Sequence, residues 1–464
     1  MRVLFIDIDT LRPDHLGCYG YRKPTSPRLD RLAAEGTLFE RCYAPGIPTT
    51  PAHATIYTGM HPIRHGIVSH GGSADLDRRI PVLPELMQQA GYTTCAVDNL
   101  YDIKPWLTRG YEFYINPSHR HRMRLLVSCE EINARAIPWL RAHAHERFFL
   151  YVHYWEPHTP YLPPAPFDRM FYEGDEKDPA NRSMDPVWAF ENFRWYFAEW
   201  MPGVTDIEFP KAQYDAEIAY VDACLAHVFT RLDELGLTQN TLLVLTADHG
   251  EELDEHGCWF DHHGLYEPNL RIPLILRLPG VVPAGQRVLS TASMLDITPT
   301  ILDYAGVADD SAPFQGRSLR NLVEGRTLSA RPIHLTENTW MKKRGVRTDE
   351  WKLIVALEPD IHGFPPVELY NLAEDPAETR NLADERPEIV AELRDMMEQH
   401  VAARTAATGL PDPLPLQPIP LRQVGKMKEA VPADEGLLAE RRAAAPASDV
   451  KLPEGDFVGY ERED

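Results

Sequence analysis

The chain has 464 residues, 44% hydrophobic and 25% charged, which is the balance of a globular protein with a large core and not of a disordered or fibrous one. Its 69 acidic and 47 basic side chains give a formal charge of −22, and this argues against a surface built to coat nucleic acid or an anionic membrane, which needs accumulated lysine and arginine. A small anionic substrate stays compatible with that charge, because local cations or metals overrule the global field. The longest apolar runs, Phe148–Tyr154 and Thr241–Ala247, are far short of the ~20 residues that cross a bilayer, so no membrane partner is expected. Six scattered cysteines form no C-x-x-C pair, and a reduced, cytoplasmic setting is the simplest expectation.

Val3–Ile8 is a short apolar run rich in β-branched residues, as expected of a strand buried on both faces of a parallel sheet; Asp7 and Asp9 interrupt it too early for a signal peptide. Ser26-Pro27 followed by Leu29, Leu32 and Ala33 and closed by Gly36 predicts a helix. The alternation continues with a helix at Leu83–Ala90, a strand at Thr93–Val97, a helix at Glu130–Ala144 and the strand Phe148–Tyr154. Ile218, Val221, Leu225, Val228 and Leu232 form one stripe of a long helix, and the strand Thr241–Thr246 follows. Such alternation predicts a large, mostly parallel α/β sheet flanked by helices, occupying residues 1–330, with ligands beyond the carboxyl ends of its strands. Within it, residues 163–210 are rich in proline and aromatics (Trp188, Trp195, Tyr196, Trp200) and suggest an inserted lid or rim, or a local hydrophobic core. Residues 331–404 predict a smaller α+β domain. The tail 405–464 is rich in proline, alanine and charge, and is expected either to stay mobile or to pack on another subunit of a homo-oligomer.

Three strand ends carry Asp9, His158 and Asp248-His249. Asp and His also begin loops because they suit turns, but three strand ends converging on one sheet edge favour a site. Asp9, Asp248 and His249 are oxygen and nitrogen donors suited to a divalent cation such as Zn²⁺, Mn²⁺, Mg²⁺ or Ca²⁺. Thr49, ahead of Pro51 and a segment ended by Gly59, is placed at a helix N-terminus, where free N–H groups and the helix dipole favour an anion. A threonine there also serves as a plain N-cap. A metal-activated hydroxyl suffices for in-line displacement. His256, His262 and His263 lie close by in sequence, and His256 is read as a loop histidine.

The chain resembles a sulfatase-type member of the alkaline phosphatase superfamily from Val3 to about Arg404. The resemblance rests on D-T-L-R-P-D-H-L-G-C-Y-G, T-G-M-H-P-I-R-H-G, E-P-H-T-P-Y, T-A-D-H-G-E-E-L-D-E-H-G, L-Y-E-P-N-L-R-I-P-L-I-L, V-R-T-D-E-W-K-L-I and E-L-Y-N-L-A-E-D-P-A-E-T-R-N-L. It implies an alkaline-phosphatase-like fold, metal ligation by Asp9, Asp248, His249 and Thr49, and Thr49 as nucleophile. It also implies that His158 sits beside the leaving group, and that His262 stands where many sulfatases have a lysine. Ordinary sulfatases carry C-x-P-x-R or S-x-P-x-R, whose Cys or Ser becomes formylglycine. Here Thr49 cannot be so converted, His53 takes the arginine position, and Asn99 and Tyr101 replace the lysine and histidine that clamp sulfate.

T-x-P-x-H followed by T-G is instead similar to the nucleophile segment of nucleotide pyrophosphatase/phosphodiesterases, while phosphonate monoester hydrolases share the sulfatase-like body. The resemblance therefore implies a hydrolase of phosphodiesters or phosphonate monoesters working through a phospho-threonine, with His158 or His262 as proton donor. His53, His70, Asn99, Tyr101 and His263 are its expected substrate contacts. Alternatives are sulfate-ester hydrolysis by the unmodified threonine, a non-catalytic binding protein on the same fold, and transfer to an alcohol. One divalent ion (Zn²⁺, Mn²⁺ or Ca²⁺) is expected; His153, His158, His262 and His263 are spare imidazoles for a second.

Overall fold

The computed structural model describes residues 1–117, 126–307, 313–419 and 421. Its main sheet has eight strands in the order Gln286–Val288, Thr37–Phe39, Leu274–Arg277, Thr241–Thr246, Arg2–Ile8, Phe148–Tyr154, Thr93–Val97 and Phe113–Ile115. The strands from Thr241–Thr246 to Phe113–Ile115 are mutually parallel, whereas Leu274–Arg277 runs antiparallel to both neighbours. The apolar runs of the three central strands are buried on both faces, as a helix-covered parallel sheet requires. This is the α/β architecture that the alternation predicts.

The helix Glu208–Glu234 begins ten residues before the apolar stripe does. Its first turns bury polar side chains: Asp215 receives His15 at 2.7 Å and Lys23 at 2.8 Å, and Glu217 accepts the Leu162 amide at 2.8 Å. Buried carboxylates break the hydrophobic stripe without breaking the helix. The helix Cys129–Ala142 has a reciprocal cap between Ser128 and Glu131. In the 163–210 insertion, Phe193, Phe197 and Trp200 are buried, and Trp200 packs on Tyr161 and Phe260.

A second sheet runs Val367–Asn371, Trp351–Ala356, Lys342–Arg347, Ile333–Asn338 and then Gly46–Ile47. Its last strand comes from the N-terminal part of the chain and pairs parallel to Ile333–Asn338, so the division at residue 330 is crossed by β-pairing. A Cβ at Gly46 would lie 2.5 Å from Pro62 and 2.8 Å from Thr336, which is why only glycine serves there. The helix Pro387–Thr408 packs on this sheet and runs past the expected boundary at 404.

Residues 405–419 fold back on the chain's own body instead of standing away from it. Gln417 donates to the Gly66 carbonyl at 2.6 Å and accepts from Ser69 at 3.0 Å, and Asn338 donates to the Pro418 carbonyl at 3.1 Å. The rest of the tail, residue 420 and residues 422–464, lies outside the described residues.

Candidate active site

Asp9 ends the Arg2–Ile8 strand, and Asp248 and His249 follow Thr241–Thr246, its parallel neighbour. One ligand atom from each lies within 4.8 Å of the others, and none of the three side chains is exposed. His249 Nδ1 donates to the Gly250 carbonyl at 3.0 Å, which leaves Nε2 with its lone pair directed at the group. That Nε2 is 3.2 Å from Asp248 Oδ2, 3.9 Å from Asp9 Oδ1 and 3.3 Å from Thr49 Oγ1. Among the described residues, both carboxylate oxygens of Asp9 and Oδ2 of Asp248 find no hydrogen-bond partner.

Burial and the neighbouring Asp9 carboxylate push Asp248 well above the usual carboxylate range. Burial would raise Asp9 too, but the imidazoles of His158, His153 and His249 hold it below that range. Burial and the adjacent His262 keep His249 neutral, the form a metal ligand needs. Two buried carboxylates, each with an oxygen left without a hydrogen bond among the described residues, facing a neutral imidazole fit a divalent cation.

The backbone is bent to make this group. Thr10 has φ of 55°, left-handed for a β-branched residue, and its amide reaches Asp248 Oδ1 at 3.3 Å. A Cβ at Gly250 would lie 1.9 Å from the Pro268 carbonyl oxygen, so the turn after His249 closes only on glycine.

Thr49 is the first residue of the helix Thr49–Thr58, and Pro48 precedes it without a side-chain cap. The Thr49 hydroxyl bonds His249, not its own helix, so the plain N-cap reading does not describe it. The first-turn N–H groups of such a helix have no acceptor within it.

Beneath the group lies a second layer of polar side chains. Period-two alternation puts Asp7 on the same face of its strand as Asp9, and Tyr151 and His153 on one face of the neighbouring strand. Tyr151 donates to Asp7 at 2.9 Å; His153 stands 3.6 Å from Asp9 and 3.5 Å from Asp98. His53 donates through Nδ1 to the Thr49 carbonyl at 2.8 Å and sets Nε2 3.3 Å from Asp7. Burial opposes its charged form, yet Asp7 and Asp248 raise its pKa.

His158 and His262 face each other with ring centroids 4.9 Å apart, and His262 stacks on His249 at 4.6 Å. His262 Nδ1 is 3.4 Å from Glu251 and 3.9 Å from Asp261. Burial works against its charge, but these carboxylates push it up to about 10. His70 reaches the Thr50 hydroxyl at 3.2 Å, one residue from Thr49.

Four expected substrate contacts are placed differently. His53 is fully buried, and its ring lies between Thr49 and Asp7 because one helical turn after Thr49 points it toward the sheet. Asn99 is buried, with its side-chain oxygen accepting the Trp155 indole N–H at 2.7 Å. Tyr101 is 48% exposed; its backbone N–H donates to the Tyr114 hydroxyl at 2.8 Å, and its ring lies 6.3 Å from that of Tyr114. His263 is buried with both ring nitrogens engaged, by Asp261 at 3.2 Å and His362 at 2.8 Å. Sequence reasoning passed over Asp7, Asp98, Glu251 and Asp261. Only Asp7 carried a signal, its two-residue spacing from Asp9 on a strand.

The Sulfatase family model matches residues 2–307, and the model described as N-sulphoglucosamine sulphohydrolase, C-terminal, matches residues 254–405. The chain belongs to the sulfatase family, within the alkaline phosphatase superfamily, and is a hydrolase of that class. It is 25% identical to N-acetylglucosamine-6-O-sulfatase of Bacteroides thetaiotaomicron across 86% of each chain. It is 26% identical to the multifunctional alkaline phosphatase superfamily protein PehA of Trinickia caryophylli, over 87% of this chain and 95% of that one. The crystal structure of the phosphonate monoester hydrolase of Agrobacterium radiobacter superposes with a TM-score of 0.69 at 23% identity, covering 87% of this chain and 95% of that one, and shares the fold. Members of this family bind a divalent metal, and the Asp9, Asp248 and His249 group could hold one here.

Proposed function

We propose that this chain hydrolyses phosphodiesters or phosphonate monoesters by way of a covalent phospho-threonine on Thr49. The observation that carries the reading is the Thr49 hydroxyl at the head of a buried helix, 3.3 Å from Nε2 of His249, the imidazole grouped with the Asp9 and Asp248 carboxylates. Among the described residues, the ion pairs of Asp9 and Asp248 are all with imidazoles, those of His53, His153 and His249. Such surroundings suit a singly charged ester better than a dianion that needs lysine and arginine clamps.

A divalent cation held by Asp9, Asp248, His249 and Thr49 would supply Lewis acidity, lowering the hydroxyl pKa and neutralising non-bridging oxygens. Thr49 gives its hydroxyl proton to solvent, its Oγ attacks phosphorus in line, the bond to the leaving oxygen breaks, and His262 or His158, protonated beforehand, gives that oxygen its proton. In this reading the first-turn N–H groups of the Thr49 helix and His70 receive the equatorial oxygens. In the second half the same imidazole takes a proton from water, the water oxygen bonds phosphorus, the bond from phosphorus to Thr49 Oγ breaks, and the released Thr49 oxygen takes its proton back from solvent.

In this reading a small ester enters past the half-buried His158 and the aromatic insertion, whose Tyr196 hydroxyl lies 3.3 Å from that of Thr159. All six cysteines are free thiols, and this supports a reducing, cytoplasmic location.

A second reading, sulfate-ester hydrolysis with unmodified Thr49, is favoured by the sulfatase names among the relatives. Assaying aryl phosphodiester, phosphonate monoester and sulfate ester side by side decides between them. The expected result is phosphorus ester turnover far above sulfate turnover, with a phosphorylated Thr49 peptide trapped by acid quench. A dominant sulfatase rate, or full turnover in Thr49→Ala, overturns the proposal.

A further inference from the structure

We propose that Cys258, His263 and His362 form a second, thiolate-containing metal site, separate from Asp9, Asp248 and His249 and suited to Zn²⁺ or a similarly thiophilic divalent ion. One ligand atom from each of the three lies within 4.8 Å of the others; Cys258 and His263 are buried and His362 is half-buried. Softness of the donors separates the two groups: a thiolate with two imidazoles selects zinc-like ions, whereas carboxylate-rich sets also take Mn²⁺, Mg²⁺ or Ca²⁺.

The donors are oriented as a metal site needs. Asp261 Oδ1 lies 3.2 Å from His263 Nδ1, and Trp340 donates to Asp261 Oδ2 at 3.2 Å, so the carboxylate is itself held. This is the carboxylate–histidine arrangement that fixes an imidazole with its Nε2 lone pair outward. That Nε2 meets His362 Nε2 at 2.8 Å. Two imine nitrogens can share that spacing only with a proton between them, and a cation replaces that proton once the rings separate to the roughly 3.3 Å that two zinc–nitrogen bonds require. The His362 ring is kept in plane by stacking on Phe190 (4.5 Å, 11°) and Phe364 (4.9 Å, 7°). Glu337, fully buried, accepts the Gly264 amide next to His263 at 3.0 Å but lies outside the three-donor group, so an ion there keeps a position for water or another added ligand.

The position gives the ion a role. Cys258 and His263 flank Asp261 and His262 in the loop after Asp248, while His362 lies between two strands of the second sheet. A metal bridging them ties the loop that carries His262 to that sheet, and its binding energy becomes stability of this junction.

The test is titration of the chelator-stripped full chain with Co²⁺. Expected is a sulfur-to-cobalt charge-transfer band in the near ultraviolet that saturates by two equivalents in the wild type, where Asp9, Asp248 and His249 also take cobalt, and at one equivalent in Asp248→Asn. The band should persist in Asp248→Asn, vanish in Cys258→Ser, and require about 10–100-fold more cobalt in Asp261→Asn. Absence of the band in the wild-type chain, its survival in Cys258→Ser, or its loss in Asp248→Asn overturns the assignment. Should Cys258→Ser fail to fold, zinc-edge absorption on zinc-loaded Asp248→Asn decides: a sulfur scatterer supports the site, and a shell of nitrogen and oxygen alone overturns it.

Discussion

His53 and Asp7 sit 3.3 Å apart with neither side chain exposed, and the other nitrogen of the same ring holds the backbone carbonyl of Thr49. The imidazole therefore links a carboxylate on the central strand to the first residue of the helix that presents the hydroxyl. Removing it strands a buried charge. His53→Ala is expected to lower unfolding free energy by about 3–5 kcal/mol, because Asp7 loses its cationic neighbour. Among molecules that remain folded, kcat should fall more than KM changes, since His53 positions Thr49 without reaching substrate. Denaturant unfolding and steady-state kinetics on the same preparation check both halves; a large KM effect at constant kcat contradicts the positioning role.

The two facing carboxylates predict an inversion of stability. Burial and Asp9 disfavour the charged form of Asp248, so the metal-free protein is strained by this pair. In excess chelator, Asp248→Asn should be more stable than the wild type, although it loses a proposed ligand. With a divalent ion at a hundredfold excess over its Kd, the wild type gains about 2.7 kcal/mol and the order reverses. Thermal unfolding of both proteins with and without metal measures this, and activity should follow the wild type's metal occupancy.

The main sheet was legible because Val3–Ile6, Phe148–Val152 and Leu242–Leu245 are uninterrupted apolar runs, and the positions of Asp9, Asp248 and His249 followed from where those runs end. Less visible was anything made by distant polar pairing. The Glu208–Glu234 helix buries Asp215 and Glu217 in the turns where an apolar stripe would be sought, and Gly46–Ile47 is too short to announce itself as a strand. The inner layer of the site was hidden for the same reason. Asp98 and Glu251 acquire meaning only beside His153 and His262, partners 55 and 11 positions away that no local pattern pairs with them. Substitution of His53 into an arginine position suggested a substrate contact, but nothing in the local sequence tells which way a ring on the first helical turns will face.

His256 supplies a pH-dependent contribution to stability. Its Nδ1 is 3.1 Å from Glu252 and its Nε2 is 3.1 Å from the Ala377 carbonyl, so both nitrogens donate only when the ring is protonated. Burial opposes that charge, but Glu252 wins and raises the pKa from 6.5 to about 9. A folded pKa above the unfolded one means that the stabilisation is complete below pH 6.5 and disappears as pH rises through 9. Burial raises Glu252 from 4.5 to about 7, and that shift also favours the folded state on the acid side. The wild type should lose about 1–3 kcal/mol more than His256→Gln between pH 6 and 9. Equilibrium unfolding at several pH values tests it; parallel curves for the two proteins contradict it.

Gly250 tests how closely the metal group depends on one turn. Its amide donates to the Asn269 carbonyl at 2.8 Å, and a methyl group there would strike the Pro268 carbonyl. Backbone cannot yield as a flexible side chain can, so Gly250→Ala should cost about 1–3 kcal/mol and displace His249, whose Nδ1 bonds the Gly250 carbonyl. Metal affinity should fall with stability, read by metal titration and thermal unfolding. Gly306→Ala is the control for backbone strain without a clash: unlike Gly250 it has positive φ, 66°, and among the described residues nothing lies within 4 Å of the added carbon, so it should reduce stability without touching metal affinity.

Thr49 separates hydroxyl chemistry from mere helix geometry. Alanine keeps the helix start and removes the oxygen 3.3 Å from His249, so hydrolysis of the phosphodiester should fall to background while folding is nearly unchanged. Serine keeps the oxygen but gives up the methyl that restricts χ1, and should retain activity within about tenfold, because the hydroxyl is still available and only its orientation is freer. Burst kinetics should show a phospho-enzyme for threonine and serine and none for alanine. If alanine retained the burst, or if serine were as inactive as alanine, the nucleophile would have to be sought elsewhere in the group.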